Sequence, residues 1–505
     1  MGIPSYYKKL IDTIPGLVSK DCKDIHWLFM DFNCLIYHCI NTYTGDVDEW
    51  EAQFIESIVT YCLKVIKLVN PKGVFIAIDG VVPMAKMRQQ RLRRFKSAWS
   101  KNDTWDKNAI TPGTVFMSKL KRRLESMVCT HDNWFLSSSD EPGEGEHKII
   151  AEWRKGTYKG NFAVYGLDAD LIVLSMLGHE CYHLNNIWLF REEINAGKIQ
   201  CDSFGEEIFC WFSIHLLKNW LTRDTNKMFI LNYCFALSVL GNDFLPASLG
   251  LKMREDGHDE LVRIIKSLKN SLVDSTLTIS LAGMIELFQV LSIHEPHRIC
   301  KYISKKQMLA SRVDNELEIG ENNWPLSHIE ESVLLNNRKL CNDWQEKYMG
   351  FFHGFDMNTI CKEYMYGIQW IWSYYTGQEI CYNWYYPHTL PPLWEWIHNY
   401  VITNPLPLQE IVVRGTDIKP VEQLVLVLPL ESWSLVPPCA ERSIPMFAPQ
   451  YYPSTFTFES LGKRYFWECE TMIPLPSILE IKEIVKHYTL RLNKFNIFGQ
   501  HTVIS

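Results

Sequence analysis

A chain of 505 residues, 47% hydrophobic and 22% charged, can bury a large core, which excludes a disordered or fibrous protein and suggests roughly two to four domains. The net charge of −7 argues against a protein that coats nucleic acid non-specifically, yet it allows an acidic metal site beside a local basic patch. The 15 cysteines stand singly without a C-x-x-C pair, the pattern of free thiols in a reducing compartment.

The opening MGIPSYYKKLIDTIP is amphipathic and lacks the basic head and apolar stretch of a secretory signal. Tyr6 stands where myristoylation would need Ser or Thr. HWLFMD (His26–Asp31) reads as a buried strand ending on a carboxylate, and Ala52–Val69 reads as a helix. GVFIAID (Gly73–Asp79) repeats the strand pattern, and Lys86–Trp99 repeats the helical one. NFAVYGLD (Asn161–Asp168) is a third strand of this kind, and the apolar run ahead of Asp243 is a weaker fourth. Met228–Leu240, the longest apolar stretch, is too short to span a bilayer. The expectation is a soluble cytoplasmic protein, with the nucleus as the alternative, and no membrane partner.

Continuous apolar strands alternating with helices predict an α/β fold with a parallel central sheet flanked by helices. In such sheets the functional crevice lies beyond the carboxyl ends of the strands, where these Asp residues fall. After about residue 255 the pattern changes. Leu261–Ile293 and Glu330–Met349 look helical, Tyr364–Trp396 is dense in Trp and Tyr, and the tail from Val421 mixes apolar segments with Pro-rich turns. The division expected is an α/β domain over 1–255 and a mainly helical, aromatic-rich second lobe over 256–505.

Seven acids occupy short motifs at or past strand ends: Asp31 in MDFN, Asp79 in AIDG, Glu144 and Glu146 in EPGEGEHK, Asp168 and Asp170 in GLDADL, and Asp243 in GNDF. Two carboxylates about 4 Å apart repel by roughly 4 kcal/mol at an effective dielectric near 20, so convergence needs counter-charge. Hard divalent cations such as Mg²⁺ or Mn²⁺ supply it through oxygen ligands, and a pair of them can act on a phosphodiester. Asp168 and Asp170 would share a face if the strand continued through them. Gly143 and Gly145 free the backbone for Glu144 and Glu146 to point into one cavity. A solvated loop acid or helix cap explains any one motif, but not all five in strand-end context. His147 has no second histidine near it in sequence and is expected to be structural.

KMRQQRLRRFKSAWSK, from Lys86 to Lys101, holds seven basic residues and no acid. Lys86, Gln90, Arg93 and Arg94 fall on one helical face, a set suited to a terminal phosphate. A solvated basic face is the plainer alternative, and the position just after Asp79 favours the pocket.

Together these motifs resemble the catalytic core of the Xrn family of 5′→3′ exoribonucleases, PIN-like metal-dependent nucleases. The match runs in order through MGIPSYYKKL, AIDGVVPMAKMRQQRLRRF, EPGEGEHKI, YGLDADLIVL and VLGNDFLP. It continues in GIQWIWSYYTG, NWYYPHTLPP, VEQLVLVLP and GKRYFWECETMIPLP. The resemblance implies that the seven acids hold two Mg²⁺ or Mn²⁺ ions. It implies that Lys86, Gln90, Arg93 and Arg94 bind the 5′-monophosphate of a single-stranded RNA. The expected activity is processive release of nucleoside 5′-monophosphates in the decay of decapped mRNA, by a monomer with the decapping machinery as a partner. Cellular members usually carry a histidine where this chain has Tyr37. Tyrosine keeps a face for stacking on the terminal base, and Trp370 or Trp384 is expected as its counterpart from the second lobe. The alternatives are a flap-type DNA 5′-nuclease and an inactive RNA-binding scaffold. The first expects a Gly-rich turn after Asp243 where FLPASLGLK stands, and the second expects lost acids where all seven are intact.

Overall fold

The apolar runs of the first half pair into one seven-stranded sheet in the computed structural model, which describes residues 3, 5–100, 105–184, 186–195, 197–223, 228–313, 317–404, 417–436 and 448–486. Its strands are β1 (Val18–Ser19), β2 (Trp27–Asp31), β3 (Gly73–Ala77), β4 (Trp134–Ser137), β5 (Phe162–Tyr165) and β6 (Ile187–Glu192). A short hairpin, β7 (Ile194–Asn195) with β8 (Lys198–Ile199), precedes the last, β9 (Phe209–Ser213). The order is β1-β9-β6-β5-β2-β3-β4. β6, β5, β2, β3 and β4 run parallel, while β9 and β1 close one edge antiparallel. Every residue of β3 is buried, as a parallel strand covered on both faces requires. The β2–β3 register sets Trp27 against Gly73, where a Cβ would lie 2.3 Å from the indole.

Alternation along the strands feeds two cores. Leu28, Met30, Val74 and Ile76 pack with α3 (Val47–Val69) and α5 (Val115–Val128) on one face. Phe29, Phe75 and Val164 pack on the other with α1 (Tyr6–Thr13), α6 (Gly145–Arg154) and α7 (Asp170–Tyr182). α3 is a well-signalled helix: the Asp46 carboxylate caps the amides of Asp48 and Glu49, and Asn70 ends it in the left-handed region. From β2 the chain builds outward to β3 and β4, then crosses back to place β5 on the other side of β2. The winding therefore reverses between β2 and β5, and a crevice opens at their carboxyl ends. Into it lead α2 (Asn33–His38) and α4 (Met84–Trp99), the basic helix.

The second half is helical: α8 (Ile214–Leu221), α9 (Met228–Ala236), α10 (His258–Ser267), α11 (Leu281–Ala310), α12 (Trp344–Gly350), α13 (Met357–Tyr375), α14 (Trp394–Thr403) and α15 (Pro420–Val427). It shares its main core with the sheet, one cluster running from Ile3 to Leu461, so the expected division at 255/256 separates no cores. That division falls in the turn Met253–Gly257. α4 is the seam. Its Met84, Met87 and Phe95 pack with Leu424–Leu428 and Ile481 from the far end of the chain.

Three expectations need correction. The run ahead of Asp243 is not a strand but α9 and the turn Leu237–Leu240; a segment buried on nearly all sides carries no period that separates strand from helix. Leu261–Ile293 is two helices, with a break from Leu268 to Ser280 in which Leu277 has φ 66°. Glu330–Met349 is a 3₁₀ turn, a hairpin of β10 (Leu335–Asn336) and β11 (Lys339–Leu340), and then α12; Asn337 and Arg338, both at positive φ, close the hairpin. The tail also holds a strand pair, β12 (Thr457–Glu459) with β13 (Glu470–Met472). The described cysteines are free thiols, and no described helix is long and apolar enough to cross a membrane.

Candidate active site

All seven acids singled out by sequence lie around the crevice. Asp31 is the last residue of β2 and Asp79 lies just past β3. Asn33 joins their motifs: its amide donates to the Asp79 carboxylate at 2.8 Å, and its Oδ1 accepts the Asp79 backbone N–H at 3.2 Å. The other Asp79 oxygen accepts the Gly145 N–H at 2.7 Å. Glu144 is the N-cap residue of α6 and Glu146 lies in its first turn. A Cβ on Gly145 would stand 2.6 Å from Asp31 Oδ1 and 2.9 Å from the Ala77 carbonyl, so no other residue brings this helix end so close. Gly143, at φ +111°, makes the turn into it.

Asp168 follows β5 in a turn and Asp170 opens α7, so strand geometry does not align the pair; the turn does. The Ile3 N–H donates to Asp170 Oδ1 at 3.1 Å, which ties Ile3 to the site. Asp243 is aimed by its neighbour: Asn242 Oδ1 accepts the Phe244 and Leu245 amides at 2.9 and 3.0 Å.

Asp31, Glu146 and Asp168 each bring an oxygen within 4.8 Å of the others. Burial, and then the charges of Asp79, Asp168 and Glu144, hold the Asp31 carboxyl well above its usual range. Burial and Glu144 do the same to Glu146. Asp79 is pushed up to about 6 by burial and Glu144, and Asp170 to about 7 by burial and Asp243. The Lys86 ammonium stands among these acids, 2.6 Å from Glu144 and 3.0 Å from Asp243. One cation does not balance this cluster. Its all-oxygen donor set fits a hard divalent ion, whose charge would favour the ionised forms. The cluster could hold a metal ion.

α4 does not present its basic residues alike. Lys86 sits among the acids, paired with Glu144 and Asp243. Arg88 pairs with Glu470 at 3.1 Å, and Lys96 donates to the Phe466 and Cys469 carbonyls. Arg91, fully buried, donates to the carbonyls of Leu426 at 2.6 Å, Pro474 at 3.2 Å and Tyr451. Gln90 Oε1 accepts the Gln423 amide at 3.3 Å, and Arg93 is exposed. Arg94 is 9% exposed, and its Nη1 has no hydrogen-bond partner. Burial pulls this guanidinium down to about 10, with the Tyr37 side chain opposing that shift. Lys101 lies outside the described residues.

Tyr37 is 45% exposed, whereas His38 turns away to Glu207 at 2.9 Å. Trp370 and Trp384, expected as stacking partners from the second lobe, are buried. They are 2% and 8% exposed, and Trp370 stacks on Tyr374 at 4.8 Å and touches Trp384 at 5.0 Å. In α13, which carries Trp370, and in the segment after it, which carries Trp384, density of aromatics did not distinguish lining from core.

Sequence reasoning missed four supports of the site: Ile3, Asn33, Tyr374 and Lys148. Tyr374 donates to Glu144 Oε1 and stacks on His147, whose imidazole is pushed down to about 3 by burial. Lys148 donates to the Ile78 and Ser138 carbonyls, each at 2.6 Å, and burial pulls it down to about 8. All four lie inside or beside the motifs quoted above, but nothing local marks a hydrogen bond across 230 residues of sequence.

Two family models match the chain, "XRN 5′-3′ exonuclease N-terminus" over residues 1–193 and "Xrn1 helical domain" over residues 349–488. The first corresponds to the PIN-like α/β sheet. Among curated relatives, 5′-3′ exoribonuclease 1 of Homo sapiens is 27% identical, over 96% of this chain and 34% of that protein. The Schizosaccharomyces pombe protein of the same name is 24% identical, over 100% of this chain and 50% of its own length. The 5′-3′ exoribonuclease 2 homolog of Drosophila melanogaster is 25% identical, over 94% of this chain and 67% of its own. The chain thus spans a third to two thirds of the length of these relatives. With both conserved regions matched in order and relatives of one kind across almost its whole length, the chain belongs to the Xrn family.

Proposed function

We propose that this chain is a divalent-metal-dependent 5′→3′ exoribonuclease that processively removes nucleoside 5′-monophosphates from single-stranded, 5′-monophosphorylated RNA. The observation that carries the reading is α4 itself. One end places Lys86 among the carboxylates, and two turns on, about 12 Å along the axis, Arg94 offers a buried guanidinium without a full set of acceptors.

Asp31, Asp79, Glu144, Glu146, Asp168, Asp170 and Asp243 would hold two Mg²⁺ or Mn²⁺ ions. When bound, such ions supply Lewis-acid activation of water and stabilisation of a leaving 3′-oxygen. The residues of the chain do the positioning. Lys86 holds Glu144 and Asp243 toward the crevice, and Tyr374 and Asn33 fix the orientations of Glu144 and Asp79. Arg94 and Arg93, with Gln90, take the 5′-phosphate by charge-assisted hydrogen bonds, and Tyr37 lies beside them as a face for the first base. Decapped mRNA in the cytoplasm supplies ends of this chemistry, and we propose it as the substrate of a monomeric enzyme working after the decapping machinery.

The test is incubation of the purified protein with Mg²⁺ and end-labelled single strands, RNA and DNA, bearing a 5′-monophosphate, triphosphate, hydroxyl or cap. Mononucleotides should appear from the 5′ end of monophosphorylated RNA first. The Asp168→Ala, Asp170→Ala double variant should release none while melting normally and still binding RNA. Turnover near the unmodified rate by a folded double variant contradicts the site.

A further inference from the structure

A cavity of about 620 Å³ opens off the candidate active site, and Asp243 and Arg93 form part of its wall. That volume lies in the range of ligand-binding clefts. Nine basic side chains line it against four acidic ones, an excess unlike the chain's net charge of −7. Neither Arg93 nor Lys463 makes an ion pair among the described residues, so both keep charge for a ligand.

The cavity wall also includes an aromatic platform. Trp467 is 50% exposed although it lines the cavity, so it stands where the cavity meets solvent. Its indole is nearly parallel to the Tyr465 ring, at 13° and 6.0 Å. The Arg254 guanidinium lies 4.8 Å from the Trp467 ring and 5.5 Å from that of Tyr465. Arg254 is itself tethered, its Nε donating to Ser5 Oγ at 2.6 Å and its Nη1 lying 3.4 Å from Glu468. A large ring held in a fixed orientation with half its surface in water suits stacking by an unpaired base, and the cations behind it suit phosphates.

We propose that this cavity is the channel for the RNA strand on the 3′ side of the scissile bond, with Trp467, steadied by Arg254, stacking a base of the incoming strand at its mouth. Lys463 meets the phosphates between that base and Asp243. The proposal rests on the exoribonuclease reading. A strand whose 5′ end is held by Arg93 and Arg94 continues past the carboxylates, and Asp243 belongs to the site and the cavity alike.

The test uses 5′-phosphorylated, 3′-fluorescein oligouridylates of two to twelve nucleotides, bound to the full chain carrying Asp168→Ala and Asp170→Ala. In that background Trp467→Ala should weaken the eight- and twelve-nucleotide strands about tenfold, as loss of one stacked base implies, and change the dinucleotide less than about twofold. Trp467→Phe should restore most of the loss. Lys463→Glu should weaken long strands independently and flatten their salt dependence. A 4-thiouridine placed a few nucleotides from the 5′ end should crosslink to the peptide carrying Trp467. The proposal is overturned by equal losses at every length, by no loss in either variant, or by a loss confined to the dinucleotide, which would make the cavity a subsite for the 5′ end. Length-dependent binding in that background, with no hydrolysis of the strands by the unmodified chain, keeps the channel and removes the exonuclease reading. Hydrolysis with length-independent binding does the reverse.

Discussion

Arg94 carries its charge into a place where Nη1 finds no acceptor, although other arginines of the same helix are well served. Charge-assisted hydrogen bonds contribute about 1.5–3 kcal/mol each, so removing two should cost about 3 kcal/mol or more, around a hundredfold in kcat/KM. The Arg93→Ala, Arg94→Ala double variant should lose most activity on 5′-monophosphate RNA and much less on 5′-hydroxyl RNA. Measured as the ratio of the two rates, preference should collapse toward one. If both substrates slow together and added salt reproduces the effect, the arginines are only a basic surface. The acids make a second expectation at this scale. With Asp79 at about 6 and Asp170 at about 7, the folded metal-free protein keeps protons that the unfolded chain has released by about pH 5. Their contribution to stability therefore falls as pH rises toward 7. A bound divalent ion needs the ionised carboxylates, so its stabilising effect should grow over the same window. The rise in Tm on adding Mg²⁺ or Mn²⁺, measured by calorimetry, should be larger at pH 8 than at pH 5.5. Equal rises would mean that these acids do not ligate the ion.

The turn into α6 shows how an element, rather than a residue, sets the geometry. Glu144 and Glu146 reach the crevice because Gly145 lets the helix end lie against Asp31 and the Ala77 carbonyl. Ala77 O is backbone in the middle of the sheet and cannot yield. Gly145→Ala should therefore push α6 outward, cost about 1–3 kcal/mol by overpacking and lower kcat at least about tenfold. Gly350→Ala, where a Cβ would meet nothing within 4 Å, should leave both unchanged. Urea titration and steady-state kinetics on the pair separate the effects. The glycines of EPGEGEHK announced this turn in the sequence, because only a Gly tolerates the φ of Gly143 and so close an approach at Gly145. The hydrogen bonds from Asn33 and Ile3 gave no such signal, since residues of those types serve many other roles.

Across the whole molecule, α4 couples the two halves. Arg91 is the anchor: its guanidinium satisfies carbonyls of Leu426, Tyr451 and Pro474, and lies 4.5 Å from the Phe95 ring. Arg91→Met keeps the volume and removes every donor, leaving buried acceptors unmet at about 1–3 kcal/mol each. The variant should lose about 3 kcal/mol or more in urea unfolding. It should also lose activity on RNA, because the segments that Arg91 holds buttress the helix that carries Lys86 and Arg94. Unchanged stability would mean that the second half does not depend on this seam.

Asp31, Asp79 and Asp168, at or just past strand ends, and the glycines beside Glu144 were legible in the sequence by itself, because a short apolar run ending on a carboxylate is a local pattern. The longer run ahead of Asp243 gave the same signal and is helical. The α/β class of the first half was legible too, since strands covered on both faces are continuously apolar. The roles of the basic helix were only half legible. Its spacing gave Lys86, Gln90, Arg93 and Arg94 one face, but α4 has neighbours around most of its circumference. Only the tertiary structure decided that Arg91 is an internal anchor, that Lys86 belongs with the carboxylates and that Arg94 is left with a donor unmet. The aromatics followed the same rule. Trp370 and Trp384 read from sequence as well as Trp467 does, yet the first two fill the core and the third meets solvent. An indole's chemistry is the same in both places. Which face stays free is fixed by what packs against it, and that depends on residues hundreds of positions away.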